Sequence, residues 1–506
     1  MKKNSGEKIL EKINKKIFRN SVLNFSSAMI ARFSGLILTI LLARFLLPEL
    51  FGIYHLVLSI VLVVFTFTDL GIKSALSRYV SFSLKTNNRT RARSYLKYLL
   101  KIKGILLLVA IILMFILAPF LSREIYNQPL ILVPLVFATV YIFINALRSF
   151  FESIFFPIKD LSKYPFTTLT LHSLRLIFSL LVLLLVSREF AVTGIFIGFA
   201  LASLISLGVV FLALGKNKDL IFGKTTRIKK PVVNKYVGFM SIASVSFVIF
   251  AATDTLVLGY FVNPAYIGFY SAAFGLIASI AAVYSLSNIF LPVFTQIEKK
   301  ELKFEFEKAF KYISLISVPS VIGLILVGKQ VINLIYGSEY VPAILPLYAL
   351  SLLVIVIPSL AIYSSLFESK EKTKSIAFFA FVSLVINIVL NFLLISYFLN
   401  FGENMAILGA GIATFTSQTI HLGFLLKRAK PEFNLKFPFH KFGKPLLASI
   451  FMLAVLLVYE AIIPKNLFTL IPEIILGAVV YFSFLFRIKG INKEDLKTFK
   501  NIFKKS

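Results

Sequence analysis

Residues 41–60 read LLARFLLPELFGIYHLVLSI, and residues 257–276 read VLGYFVNPAYIGFYSAAFGL. In each, an apolar run meets a proline, and a second run follows through a glycine and a tyrosine. Pro48, Gly52 and Tyr54 recur as Pro264, Gly268 and Tyr270, all displaced by 216 residues. Proline ends or kinks a helix, because it lacks an amide proton and clashes with the preceding turn. Glycine lets one backbone turn or pack closely on another. Each stretch therefore predicts a helical hairpin, with its tyrosine expected at the outer interface. Two such hairpins at one offset predict a duplicated architecture.

The repeat extends outward from the hairpins. SFFES at 149–153 meets SLFES at 365–369, and AVTGIFI at 191–197 resembles AILGAGI at 406–412. Helices 1–6 are thus expected to recur as helices 7–12. An even number of crossings gives both halves the same orientation, related by an axis along the membrane normal. The expected division is a first lobe over 1–215, a second over 216–430, and two further helices with a basic tail over 431–506. A cleft is expected between the lobes.

Composition supports a membrane protein. Of 506 residues 58% are hydrophobic, and the mean hydropathy is +0.88. The apolar residues fall into runs of about 20, the length a helix needs to cross a bilayer. The fold class is all-α, with fourteen spans expected near 20–46, 51–77, 102–121, 130–151, 164–187, 190–214, 236–261, 265–292, 312–336, 341–366, 374–398, 406–427, 443–463 and 467–487. The net charge of +31 does not indicate a nucleic-acid partner, because it sits in alternate loops. The N-terminal segment, the even-to-odd loops and the C-terminal segment hold 46 of the 54 Lys and Arg residues. The remaining loops hold Arg123, Arg188 and Lys465. The positive-inside rule then puts both termini in the cytoplasm of a multi-pass cell-membrane protein. The basic start mimics a signal peptide, but the apolar run that follows is too long for one and reads as the first span. The chain has no Cys and no Trp, so interfacial anchoring falls to Tyr54, Tyr126, Tyr164, Tyr260 and Tyr336.

The outer loops are short, the longest lying at 122–129, and leave little room for an external catalytic domain. No Walker A sequence, GxSxG motif or metal-ligand spacing occurs. The chain therefore reads as a non-enzyme without a resident cofactor. Directed transport would draw on Na+ or H+, on membrane potential, or on consumption of the product.

A charge at bilayer depth is costly and usually faces a cavity or a partner. Arg32 and Arg175 lie deepest, on helices 1 and 5. They are candidates for gripping a phosphate, which guanidinium binds bidentately; the alternative is a structural Arg bonded to carbonyls. Arg44, near an outer end, and Lys329 are weaker candidates. Asp69 and Lys73 have ion-pair spacing. Arg78 guards a cytoplasmic mouth or is an ordinary loop cation. Arg148 and Glu152 repeat the i, i+4 ambiguity, and Glu152 and Glu368 are equivalent by the repeat, which predicts a shared structural role. His172 lies one turn before Arg175. In the second lobe Asp254, Asn387, Asn391, Thr414 and Thr416 lie at similar depth. Their oxygens suit a hard cation such as sodium; a protonated, hydrogen-bonded Asp254 is the other reading.

LLARFLLPELFGIY together with DLGIKSALSRYV (69–80) resembles the N-terminal signature of Wzx-like polysaccharide-export flippases. These belong to the multidrug/oligosaccharidyl-lipid/polysaccharide (MOP) exporter superfamily. Helices 13 and 14 match its fourteen-helix branch, which includes lipid II flippases. The resemblance implies a V-shaped cavity, alternating access, and a polyprenyl-linked oligosaccharide as partner. Lipid II flippases carry a similar acidic-plus-Asn arrangement on helices 7 and 11, with an acid where this chain has Asn391. The expected function is translocation of that lipid-linked sugar to the outer leaflet by a protein acting as a monomer among membrane lipids. The alternatives are a cation-coupled multidrug exporter of the same superfamily, a membrane glycosyltransferase or polymerase, and a scaffold. The cationic cavity argues against the drug exporter, the short outer loops against the enzyme, and the buried Arg residues against the scaffold.

Overall fold

The computed structural model describes residues 2–281, 287–463 and 467–491. The chain forms two compact units. The first takes residues up to Leu46 and Leu56–Val248; the second takes Leu47–His55 and the chain from Ile249 on. The helices are α1 (Lys2–Thr66), α2 (Ile72–Lys85), α3 (Arg89–Phe120), α4 (Leu132–Glu152), α5 (Tyr164–Leu185), α6 (Ala191–Leu214), α7 (Lys230–Phe261) and α8 (Pro264–Ile280). They continue as α9 (Ser287–Gln296), α10 (Lys299–Tyr336), α11 (Ile344–Ser351), α12 (Leu353–Ser369), α13 (Thr373–Leu399), α14 (Glu403–Phe433), α15 (His440–Ile462) and α16 (Leu467–Arg487). Among the described residues ten segments are long and apolar enough to cross a membrane, and Val245–Phe261 and Pro264–Ile280 add shorter apolar helices.

The opening hairpin is a kink rather than a loop. Two helices meet within α1 where Leu47 leaves helical geometry at φ 60°, ψ 172°, directly before Pro48. That left-handed φ costs a non-glycine residue on the order of 1–3 kcal/mol and persists only where packing fixes it. Packing does so within the second unit. A Cβ added to Gly52 would stand 1.7 Å from the Pro264 carbonyl oxygen, and one added to Gly268 would stand 2.1 Å from the Pro48 carbonyl oxygen. Each repeat's glycine seats on the other repeat's proline. The duplicated motif is therefore a reciprocal backbone crossing that only glycine permits.

The tyrosines do not mark the interface. Tyr54 and Tyr270 are 7% and 2% exposed; Tyr54 packs edge-on to His55, while Tyr270 turns toward α7. Tyr336 is also buried, with its ring beside Tyr340. Tyr260 is exposed, as an interfacial anchor should be.

The glycines of AVTGIFI and AILGAGI each pack closely on the preceding helix. A Cβ on Gly194 of α6 would meet Val182 of α5 at 2.7 Å, and one on Gly409 of α14 would meet the Leu394 carbonyl of α13 at 2.8 Å. Glu152 and Glu368 differ, however. Glu152 is buried against Arg148, whereas Glu368 is exposed and has Ser364 one turn before it. The first unit is cored at one end by Leu76, Leu96, Phe150, Phe155 and Leu214. Large apolar side chains such as Leu184, Leu185 and Leu212 stay exposed on α5 and α6. In water such patches would drive association. Within lipid they are the ordinary surface of a helix whose backbone hydrogen bonds are satisfied internally.

Candidate functional site

In the second unit, α7, α8, α13 and α14 converge on Asp254. The side chain is 4% exposed, and Asn387 and Asn391 are 0% exposed. Tyr270 Oη donates to Asp254 Oδ2 at 2.5 Å, and Asn391 Nδ2 donates to Oδ1 at 2.8 Å. The Thr414 hydroxyl lies 2.6 and 2.7 Å from the two carboxylate oxygens. Asn387 Nδ2 donates to Thr414 Oγ1 and Ser417 Oγ, both at 3.1 Å. Four of the predicted residues thus meet in one network, and Tyr270 and Ser417 join them. Thr416 makes no such contact; it sits beside the network but half-exposed.

Tyr270 was legible in principle. It lies about as far past the α7–α8 turn as Asp254 lies before it, so an antiparallel hairpin places the two at similar depth. Three side-chain donors converge on the carboxylate. The side-chain oxygens of Asn387 and Asn391 are buried and accept no hydrogen bond. Orphaned buried acceptors are expensive. A carboxylate, two amide oxygens and a hydroxyl form a set of hard donors that fits a sodium ion. Among the described residues no cluster of His, Cys, Asp and Glu offers a transition-metal site.

In the first unit, α4 and α5 hold a second polar network. Arg148, 6% exposed, pairs through Nη1 with Glu152 Oε1 at 2.9 Å, and its Nε donates to Asn145 Oδ1 at 3.2 Å. Thr167 Oγ1 donates to the same Glu152 oxygen at 2.8 Å. Arg175 Nη2 donates to Tyr141 Oη at 2.8 Å and to Asn145 Oδ1 at 3.3 Å, and its guanidinium stacks over the Tyr141 and Phe199 rings. Asn145 therefore links the two arginines. Arg148, Glu152, Tyr164, Thr168 and His172 line a cavity of about 340 Å³, with Ser27 and Ala31 of α1 on its wall. Half-buried Arg32 follows Ala31 in the chain.

The other predicted cations lie apart from this network. Arg44 is exposed on α1, and exposed Arg78 stacks on Tyr236 at 4.8 Å. Asp69 pairs with Lys73 at 3.6 Å as its spacing predicts, but also with Lys103 at 3.4 Å. Lys103 is 3% exposed and also donates to Thr68 Oγ1. Its place at the edge of a basic loop concealed it as a buried charge.

Comparison with known proteins supplies the context. A family model described as a polysaccharide biosynthesis protein matches residues 41–345. The probable low-salt glycan biosynthesis flippase Agl15 of Haloferax volcanii is 23% identical over 316 residues. That alignment spans 60% of this chain and 63% of Agl15, less than two thirds of the relative. Among solved structures, the lipid II flippase MurJ in an inward closed conformation superposes with a TM-score of 0.74 at 19% identity, over 92% of this chain and 98% of MurJ. An inward-facing multidrug resistance MATE transporter of the MOP superfamily gives 0.59 at 14% identity, over 81% and 95%. A MOP superfamily transporter from Pyrococcus furiosus, described as having a binding pocket of reverse polarity, gives 0.57 at 13%, over 83% and 96%. The fold is shared with these solved transporters, and the family model covers more than half of the sequence: the chain belongs to the polysaccharide biosynthesis protein family.

Proposed function

We propose that this protein is a flippase that moves a polyprenyl-linked oligosaccharide from the cytoplasmic to the outer leaflet by alternating access. It would act as a monomer with fourteen spans and both termini in the cytoplasm, an orientation that the alternating basic loops support. The observation that carries the reading is Arg175. It is half-buried, it is held by the neutral partners Tyr141 and Asn145, and it makes no ion pair among the described residues. Its charge is therefore not answered by an acid, one turn beyond the cavity wall at His172. A phosphate or pyrophosphate in that low-dielectric region would receive charge-assisted hydrogen bonds, stronger than neutral ones. Arg148 is committed to Glu152, so its part is to shape the cavity and to orient Asn145. Arg32, Arg44 and Arg78 would supply further positive field along the cargo's route.

For coupling, Asp254, Asn387, Asn391 and Thr414 are the residues that would hold Na+, which would supply a conformational bias when bound. The protein's part would be to present the Asp254 carboxyl and to turn the orphaned amide oxygens toward the ion. A proton taken up at Asp254 Oδ1 or Oδ2 is the competing means of coupling.

The test is complementation of a flippase-null strain at matched membrane abundance. Loss of a charge-assisted contact worth about 1.5–3 kcal/mol should lower export about tenfold or more in Arg175→Ala. Arg175→Lys should rescue partly, since the charge survives and the fork does not. Full export by Arg175→Ala would remove the phosphate-grip mechanism.

A further inference from the structure

In the second unit, α10, α15 and α16 pack around Leu315, Met452, Leu456, Tyr481 and Leu485, and Tyr481 Oη donates to the Leu315 carbonyl at 2.9 Å. At one end of this three-helix bundle lies a cavity of about 300 Å³. Its wall carries Lys311 from α10, His440, Lys441 and Lys444 from the first turns of α15, and Lys489 from the turn just past α16. Among the described residues Glu307 lies 3.2 Å from His440 Nε2 and 3.1 Å from Lys441 Nζ. Lys444 Nζ donates to the Lys489 carbonyl at 2.9 Å, which occupies one of its three protons. Ser314 Oγ donates to the carbonyls of both Lys311 and Lys441, at 2.8 and 3.0 Å, and so fixes α10 against α15. Lysines from α10, α15 and the turn past α16 thus line one concave site, and Glu307 is the acid that pairs with Lys441 there among the described residues. The amino end of α15 adds the positive pole of its dipole.

The surroundings narrow the anion. Leu447 and Ile450, within two turns of Lys444, are 59% and 51% exposed. On α16, Phe482 and Phe486 approach Lys489 along the chain and are 44% and 45% exposed. A soluble anion has no use for those faces. A lipid does, because its chains lie along apolar helices while its phosphate reaches the cations at their ends. Basic pockets between helices at the cytoplasmic surface bind anionic headgroups by this arrangement. We propose that this cavity binds the phosphate of an anionic membrane lipid, whose acyl chains lie on the exposed faces of α15 and α16.

The site belongs to the α10–α15–α16 bundle and does not involve Arg175, so it can fail or stand apart from the cargo reading. The experiment is native mass spectrometry of the purified full chain titrated with phosphatidylglycerol or phosphatidylcholine. Phosphatidylglycerol should remain bound under activation that strips phosphatidylcholine. The variant Lys444→Glu/Lys489→Glu should weaken phosphatidylglycerol binding about tenfold or more. Lys224→Glu, an exposed charge reversal in the first unit, should leave it unchanged. A thermal midpoint within a few degrees of wild type confirms that the double variant is folded; if it is not, Lys444→Gln replaces it with the same expected direction. Excess inorganic phosphate should displace little of the lipid. Equal retention of both lipids, unchanged binding in the folded variant, or full displacement by inorganic phosphate would each overturn the proposal.

Discussion

Arg148 and Glu152 show what one buried pair demands. Both are nearly inaccessible, and their charges satisfy each other. Removing one partner leaves the other desolvated and alone, which costs about 3–5 kcal/mol, whereas replacing both is often close to neutral. Arg148→Ala should therefore lower the thermal midpoint of the purified protein sharply, and Arg148→Met/Glu152→Gln should restore most of it. A single variant as stable as wild type would show that the pair is not load-sharing in the fold. In the second unit a buried acid is Asp254. A ligand that binds only the folded state raises stability with its concentration. Sodium chloride should raise the midpoint above that in equimolar potassium chloride, and Asp254→Asn should abolish the difference. Equal midpoints in the two salts would rule out a sodium site in this network. The spacing and depth of Asp254, Asn387, Asn391 and Thr414 were legible in the sequence, because helical periodicity and distance from a turn set both. The hydrogen-bond partners were not, since they depend on which face of each helix meets its neighbour. For the same reason Tyr270 read as an anchor and Lys103 as a loop cation.

Among the elements, the hairpin of α1 and that at the start of α8 give the clearest test. Their glycines admit carbonyl oxygens of the opposite repeat where any side chain would collide. Gly52→Ala and Gly268→Ala should each destabilise by at least about 1–3 kcal/mol through overpacking. Gly35→Ala is the control: nothing lies within 4 Å of its added methyl, and alanine favours a helix by about 1 kcal/mol over glycine. If the midpoints of all three variants moved together, the reciprocal crossing would not be what the glycines serve. The proline, the glycine and the offset announced two matched hairpins from sequence alone. That the two contact each other was not legible, because a repeat says that two elements are alike and not that they touch. The exposed Glu368 carries the converse lesson. Its counterpart Glu152 is buried by Arg148, and Ser364 cannot do the same, so sequence symmetry did not extend to the charge.

At the scale of the molecule, helix count, hydropathy and charge alternation placed the chain in the membrane, and the family match places it among polysaccharide biosynthesis proteins. The specific sugar has no signature in these residues, since a cavity that admits a large polar chain binds it through many small contacts. The central claim is that the protein moves a lipid-linked oligosaccharide between leaflets, and it is measured most directly in proteoliposomes. The purified full chain is reconstituted with a polyprenyl-pyrophosphate oligosaccharide, and an impermeant glycosidase added outside reports the fraction of sugar exposed. With the wild-type protein, cleavage should run past the outer-leaflet pool to nearly the whole, and with Arg175→Ala it should do so about tenfold more slowly or worse. Cleavage that stops at the outer-leaflet pool with correctly folded wild-type protein would contradict the account.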